Sequence, residues 1–156
     1  LSGERTPHND PRARGVLFGL DHDSSRARIG RAVLEGVAYA FRDGLDALRH
    51  SGSRIVNIAV IGGGARSAFW GRILASVLEM PLTYADGVAV GAAFGAARLA
   101  QIGHSGVEAD TLCVPPTVRH IAVPDANLVA HYASVLPRYR ALYRALQPSF
   151  RELHHG

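Results

Sequence analysis

Apolar positions recur at helical spacing in three stretches and at strand spacing in four. Ile29, Val33, Val37, Phe41, Leu45 and Leu48 return every three or four residues, which predicts a helix from about residue 26 to Arg49 with that stripe inward. Ser24 or Ser25 would cap its start, and Ser51-Gly52-Ser53 ends it. Phe69, Trp70, Ile73, Leu74, Val77 and Leu78 predict a second helix running to about Glu79, with Phe69 and Trp70 read as core. Leu128, Tyr132, Val135, Tyr139, Leu142 and Leu146 predict a last helix started by Asp125, kinked at Pro137 and ended at Pro148.

Strands fill the gaps. Gly15-Val16-Leu17-Phe18-Gly19-Leu20 reads as a short apolar strand bounded by glycines. Residues 55–61, nearly all β-branched, read as a central strand covered by helices on both faces. Residues 81–84 and 119–123 add a short strand and an edge strand. The small-residue stretch 89–100 reads as a closely packed helix, 107–116 as irregular, and 1–14 as a loop with two prolines. Strands and helices alternate, which indicates an α/β layer fold.

Composition narrows the possibilities. A chain of 156 residues, 47% hydrophobic and 19% charged, has the size and apolar content of one domain with a real core. No apolar run reaches the roughly 20 residues of a membrane span. Nothing resembles a secretory leader, and one cysteine, Cys113, read as buried filler, fits a reducing compartment; the expected location is cytoplasmic. All 17 basic residues are Arg, which removes any chemistry needing a lysine amine. The arginines are scattered, so nucleic acid is not an expected partner. The eight histidines show no metal-ligand spacing, and no metal site is expected.

One motif stands out. Gly62, Gly63, Gly64, Ala65, Arg66 and Ser67 lie between a buried-type strand and a helix start. Bare backbone there admits close approach of a flat or anionic ligand, and the helix start offers free N–H groups. The third glycine of a dinucleotide fingerprint is replaced by Ser67, and a P-loop lysine is absent. On spacing alone, a nucleotide site and a ligand-free strand-to-helix turn both remain open. The loop containing Glu4, Arg5 and His8 is dense in polar groups, yet by itself it reads as a solvent-exposed loop.

These segments together carry a resemblance. Residues 1–11, 13–16 and 18–20 resemble the segment opening the C-terminal domain in the xylulose-phosphorylating branch of the FGGY carbohydrate kinase family, within the actin-like ATPase superfamily. Residues 31–37 resemble that family's second signature helix. Residues 62–67 with Trp70 are similar to its adenosine-binding motif, residues 91–100 to its glycine-alanine helix, and 136–148 to its ending.

The resemblance implies an α/β, actin-like (ribonuclease H-like) domain with a mixed sheet flanked by helices. It implies a chain, 1–156, that is the C-terminal, nucleotide-binding domain of a longer kinase whose N-terminal sugar-binding domain lies elsewhere. The intact enzyme would transfer the γ-phosphoryl group of ATP, with Mg²⁺, to the 5-hydroxyl of D-xylulose. Another sugar or polyol of the family (ribulose, gluconate, glycerol) or a non-catalytic nucleotide-binding module are the alternatives. Gly62 to Ser67 would meet the adenosine, and Glu4, Arg5 and His8 would sit on a loop facing the interdomain cleft. The general-base aspartate belongs to the N-terminal domain, so no catalytic residue is expected here and the chain alone should be inactive. The N-terminal domain is the expected partner, and homodimerisation is compatible with the family. Arg28 and Ala89 depart from its pattern, and Glu35 reads equally as a cap for a neighbouring loop's N–H groups.

Overall fold

A computed structural model describes residues 3–86 and 91–153. Predictions at residues 87–90, including Ala89, and at 154–156 lie outside the described residues. The order of elements is α1 (Arg26–His50), β1 (Ile58–Ala59), a 3₁₀ turn (Gly63–Arg66), α2 (Ala68–Leu78), β2 (Leu82–Ala85), α3 (Gly91–Ser105), α4 (Ala109–Leu112), β3 (Val118–Ala122) and α5 (Ala126–Glu152).

The helix starts follow the sequence. Ser25 caps α1 by accepting the Arg28 N–H at 3.3 Å, Ser67 caps α2 through Trp70 N–H at 3.1 Å, and Asp125 caps α5 through Asn127 and Leu128. Helix α2 ends at Glu79, whose left-handed backbone (φ 56°) is held by its carboxylate accepting from Arg42 at 2.6 Å. Arg42 also donates to the Val77 carbonyl at 2.8 Å, satisfying an acceptor of that last turn.

The sheet is mixed, with strand order β1-β2-β3. β1 runs parallel to β2 and β3 antiparallel to it, with Leu82 opposite both Ile58 and Ala122. Helices α1, α2 and α5 pack together, and their shared core joins Tyr39, Leu45, Ile73, Leu74, Leu82 and Leu136. One charged group enters this interior: Asp43, with its side chain 7% exposed, is held by Arg140, which also binds Asp46. A buried carboxylate needs such a cation.

Several expectations are corrected. Residues 15–20 form no strand; Val16, Leu17, Phe18 and Leu20 stand exposed because no described segment lies alongside to complete a ladder. Residues 55–61 are not a central, doubly covered strand: only two residues pair, at the sheet edge, and Val56 and Ile61 are exposed. On α1 the inward face carries Ala38, Tyr39, Asp43 and Leu45, while Val33, Val37, Phe41 and Leu48 remain about half exposed. Phe69 and Cys113 are exposed rather than core. Pro148 does not end α5, which continues to Glu152 through both prolines; a proline removes one hydrogen bond without abolishing those of its neighbours. Within the irregular stretch, residues 109–112 make one helical turn. Glu35 caps no loop: its carboxylate accepts from Arg31 at 2.7 Å and from the Tyr132 hydroxyl at 3.0 Å.

Candidate functional site

The glycine turn follows directly on β1. Gly62 has φ +86°, in the left-handed region where a Cβ is strained. A Cβ added at Gly62 or Gly63 would meet nothing within 4 Å, so the backbone here borders open space. The turn closes on itself, with Ala65 N–H donating to Gly62 O at 3.1 Å and Ser67 N–H to Gly64 O at 3.2 Å. Gly64 backs onto the indole: a Cβ there would lie 3.3 Å from Trp70 Nε1. Trp70 and Ala65 in turn pack against the core, which fixes the ledge to α2.

Beyond the ledge, Ala65, Arg66 and Ser67 border a cavity of about 430 Å³ whose other walls include Gly71, Tyr84, Asp86, Arg119 and His120. No motif singles out the β2 and β3 residues of that wall. They arrive through strand pairing, which sets Tyr84 opposite His120. Arg119 forms an ion pair with Asp86. Tyr84 is 7% exposed, its hydroxyl has no hydrogen-bond partner among the described residues, and burial pushes its pKa up.

The loop holding Glu4, Arg5 and His8 is organised elsewhere. Glu4 and Asp10 pair through an isolated bridge, with Glu4 N–H donating to Asp10 O at 2.8 Å. The Glu4 carboxylate accepts the His8 N–H at 2.9 Å. Gly3, at φ +101°, crosses Pro11 so closely that a Cβ would sit 2.8 Å from the proline Cα. The loop is anchored on α5: His8 stacks on Tyr143 at 3.8 Å, and the Tyr143 hydroxyl donates to Asp10 at 3.0 Å. The Arg12 N–H, with help from that hydroxyl, keeps the Asp10 carboxyl below the usual range. Arg5 is exposed. Thus the loop is held to α5 and the glycine turn to α2. No hydrogen bond, ion pair or ring contact among the described residues joins Glu4, Arg5 or His8 to residues 62–67.

The described residues contain no group of three or more His, Cys, Asp or Glu suited to a metal ion, and no helix long and apolar enough to cross a membrane.

Comparison with known proteins decides the family. The sequence matches the FGGY family of carbohydrate kinases, C-terminal domain, over residues 1–104. The chain belongs to the FGGY carbohydrate kinase family. It is 44% identical to the xylulose kinase of Escherichia coli (strain K12) over 149 residues, covering 95% of this chain and 31% of the relative. Identity to the xylulose kinase of Klebsiella pneumoniae is 42% over the same length, with the same coverage. Among solved structures, a xylulose kinase from Brucella ovis superposes with a TM-score of 0.82 at 43% identity, over 94% of this chain and 31% of that one. One from Rhodospirillum rubrum gives 0.75 at 31% identity, over 91% of this chain and 29% of that one. The chain therefore spans about a third of the length of the curated relatives it matches. Its mixed sheet flanked by helices is the actin-like fold of these FGGY kinases.

Proposed function

We propose that the chain is the nucleotide-binding part of an ATP-dependent sugar kinase that, when whole, phosphorylates D-xylulose to D-xylulose 5-phosphate in the cytoplasm. The observation that carries this reading is the similarity to xylulose kinases along nearly the whole chain, with the glycine turn at its centre. The open faces of Gly62 and Gly63 suit a purine riboside: with no Cβ in the way, the backbone comes into van der Waals contact with a flat ligand. Gly64, Ala65, Arg66 and Ser67 complete the ledge. Arg66 supplies positive charge at the rim of the adjoining cavity.

Bound ATP would supply the phosphoryl group, and Mg²⁺ would arrive with its phosphates. This chain's residues position the nucleotide; the sugar pocket and the general base belong to the N-terminal domain, across a cleft toward which we assign Glu4, Arg5 and His8. Their anchorage on α5 keeps that loop in one shape. The chain alone is inactive, and pairing of two intact enzymes remains compatible with the reading. A second reading, a polyol kinase, draws on the 37% identity to a glycerol kinase from Gloeobacter violaceus over 139 residues.

A coupled ADP-release assay on the full-length polypeptide, run across ketoses and polyols, tests the reading. D-xylulose should rank among the best substrates; preference for glycerol would install the second reading, and no turnover on any sugar or polyol would leave only a nucleotide-binding module. Gly63→Asp sets a carboxylate on the open face of the ledge, where it would clash with and repel the nucleotide, and should raise the KM for ATP at least tenfold. Unchanged ATP affinity would remove the site assignment.

A further inference from the structure

The cavity beside the glycine turn has a wall of its own. Ala65, Arg66 and Ser67 divide it from the open glycines Gly62 and Gly63, which are absent from that wall. It lies where the start of α2 meets β2 and β3, with the buried Gly71, Tyr84 and Ala122 along it. Its volume, about 430 Å³, falls within the roughly 300–1,000 Å³ of small-molecule sites.

The polar groups of the wall suit an anion. The buried Tyr84 hydroxyl has no partner among the described residues. Burial pushes the phenol pKa up, so the hydroxyl keeps its proton and is free to donate. A buried polar group left unpaired costs stability, and a ligand that accepts from it removes that cost. This hydroxyl lies against the first turn of α2, 2.5 Å from where a Cβ on Gly71 would stand. In that turn the Ser67 hydroxyl accepts the Trp70 N–H and the Ser67 carbonyl accepts the Gly71 N–H. Ala68, also on the wall, has no partner for its N–H among the described residues. A free N–H at a helix start attracts negative charge. Arg66 has no ion pair among the described residues, and the carboxylate of the wall, Asp86, is paired with Arg119. Two arginines against one aspartate leave one net positive charge, and the His120 ring adds a further polar group.

We infer that this cavity is a second ligand site, distinct from the nucleotide ledge, and that it takes a small phosphate-bearing molecule. The phosphate oxygens accept from the Tyr84 hydroxyl and the Ala68 N–H and face Arg66. The remaining space, lined by Ala65, Ala85 and Ala122, has room for a short carbon skeleton.

Calorimetric titration of the intact polypeptide with D-ribose 5-phosphate, inorganic phosphate and D-ribose tests it, with no turnover read, so the outcome does not depend on the kinase assignment. D-ribose 5-phosphate should bind and D-ribose should not; equal binding of both overturns an anion site. Tighter binding of D-ribose 5-phosphate than of inorganic phosphate supports a sugar phosphate as occupant, and equal affinity supports free phosphate. Tyr84→Phe should keep or raise the Tm and weaken phosphate binding at least about tenfold. Full affinity in that variant places the phosphate elsewhere and overturns the inference. A saturating, non-hydrolysable ATP analogue with Mg²⁺ should leave the affinity for D-ribose 5-phosphate within about threefold. Complete displacement makes the cavity part of the nucleotide ledge and overturns the second site. In residue-resolved hydrogen exchange, D-ribose 5-phosphate should slow the Ala68 amide at least about tenfold; an unchanged rate counts against the helix start as part of the site.

Discussion

Gly71 shows how far one residue depends on its neighbours. A Cβ there would lie 2.5 Å from the Tyr84 hydroxyl, which is itself buried without a partner. Gly71→Ala gains up to about 1 kcal/mol in helix propensity, but the overlap costs about 1–3 kcal/mol. Denaturant titration should therefore show net destabilisation. Tyr84→Phe removes both the overlapping oxygen and an unsatisfied group, so it should be neutral or stabilising by up to about 1 kcal/mol, and it should rescue Gly71→Ala. If the double variant is no better than the single, the hydroxyl is not what Gly71 accommodates. Gly62 holds its place for another reason, its positive φ, and Gly3 for both reasons at once.

Among the elements, the helices are joined by groups of unequal worth. Asp125 starts α5, accepts from two of its N–H groups, and pairs with Arg72 at 2.7 Å. The Arg72 guanidinium, with those N–H groups, holds its carboxyl below the usual range. Asp125→Ala should destabilise the fold through loss of that cap. Arg140 tethers α5 to α1 through Asp43 and Asp46. Its removal leaves the buried Asp43 without a cation, so Arg140→Ala should cost more, about 3 kcal/mol. Equal losses in urea unfolding would mean that the Asp43 carboxylate reaches water once released.

The same groups set the pH range of the whole molecule. Burial alone would raise Asp46, but hydrogen bonds from Arg140 and Arg42 outweigh it, and its pKa lies below the usual value. A depressed carboxylate contributes stability above its unfolded pKa of about 4, and that contribution fades as pH falls through the folded value. Tyr39 and Tyr132 are shifted the other way, first by burial and then by Glu35, so their contribution is complete below about pH 10 and fades above it. The Tm should accordingly hold steady from about pH 5 to 9 and drop at both ends. Asp46→Asn should shrink the acid limb to the part owed to Asp10 and Asp125 and leave the alkaline limb in place.

The three long amphipathic helices, a serine cap at Ser24 or Ser25 and an aspartate cap at Asp125, and the glycine turn after a β-rich run were legible from residue types alone, because these features depend on backbone conformation and neighbours a few positions away. Family membership was legible too, from motifs in the right succession. Which of two apolar faces of α1 turns inward was not, since periodicity measures amphipathicity and cannot say which side meets a neighbour. Strand formation at 15–20 and 55–61 was likewise beyond reach of composition, because a strand exists only where another lies alongside to take its hydrogen bonds. Tertiary structure alone decided that Arg119 and His120 border the cavity beside the glycine turn and that His8 rests on Tyr143, contacts made by chain segments far apart in sequence and joined only by packing.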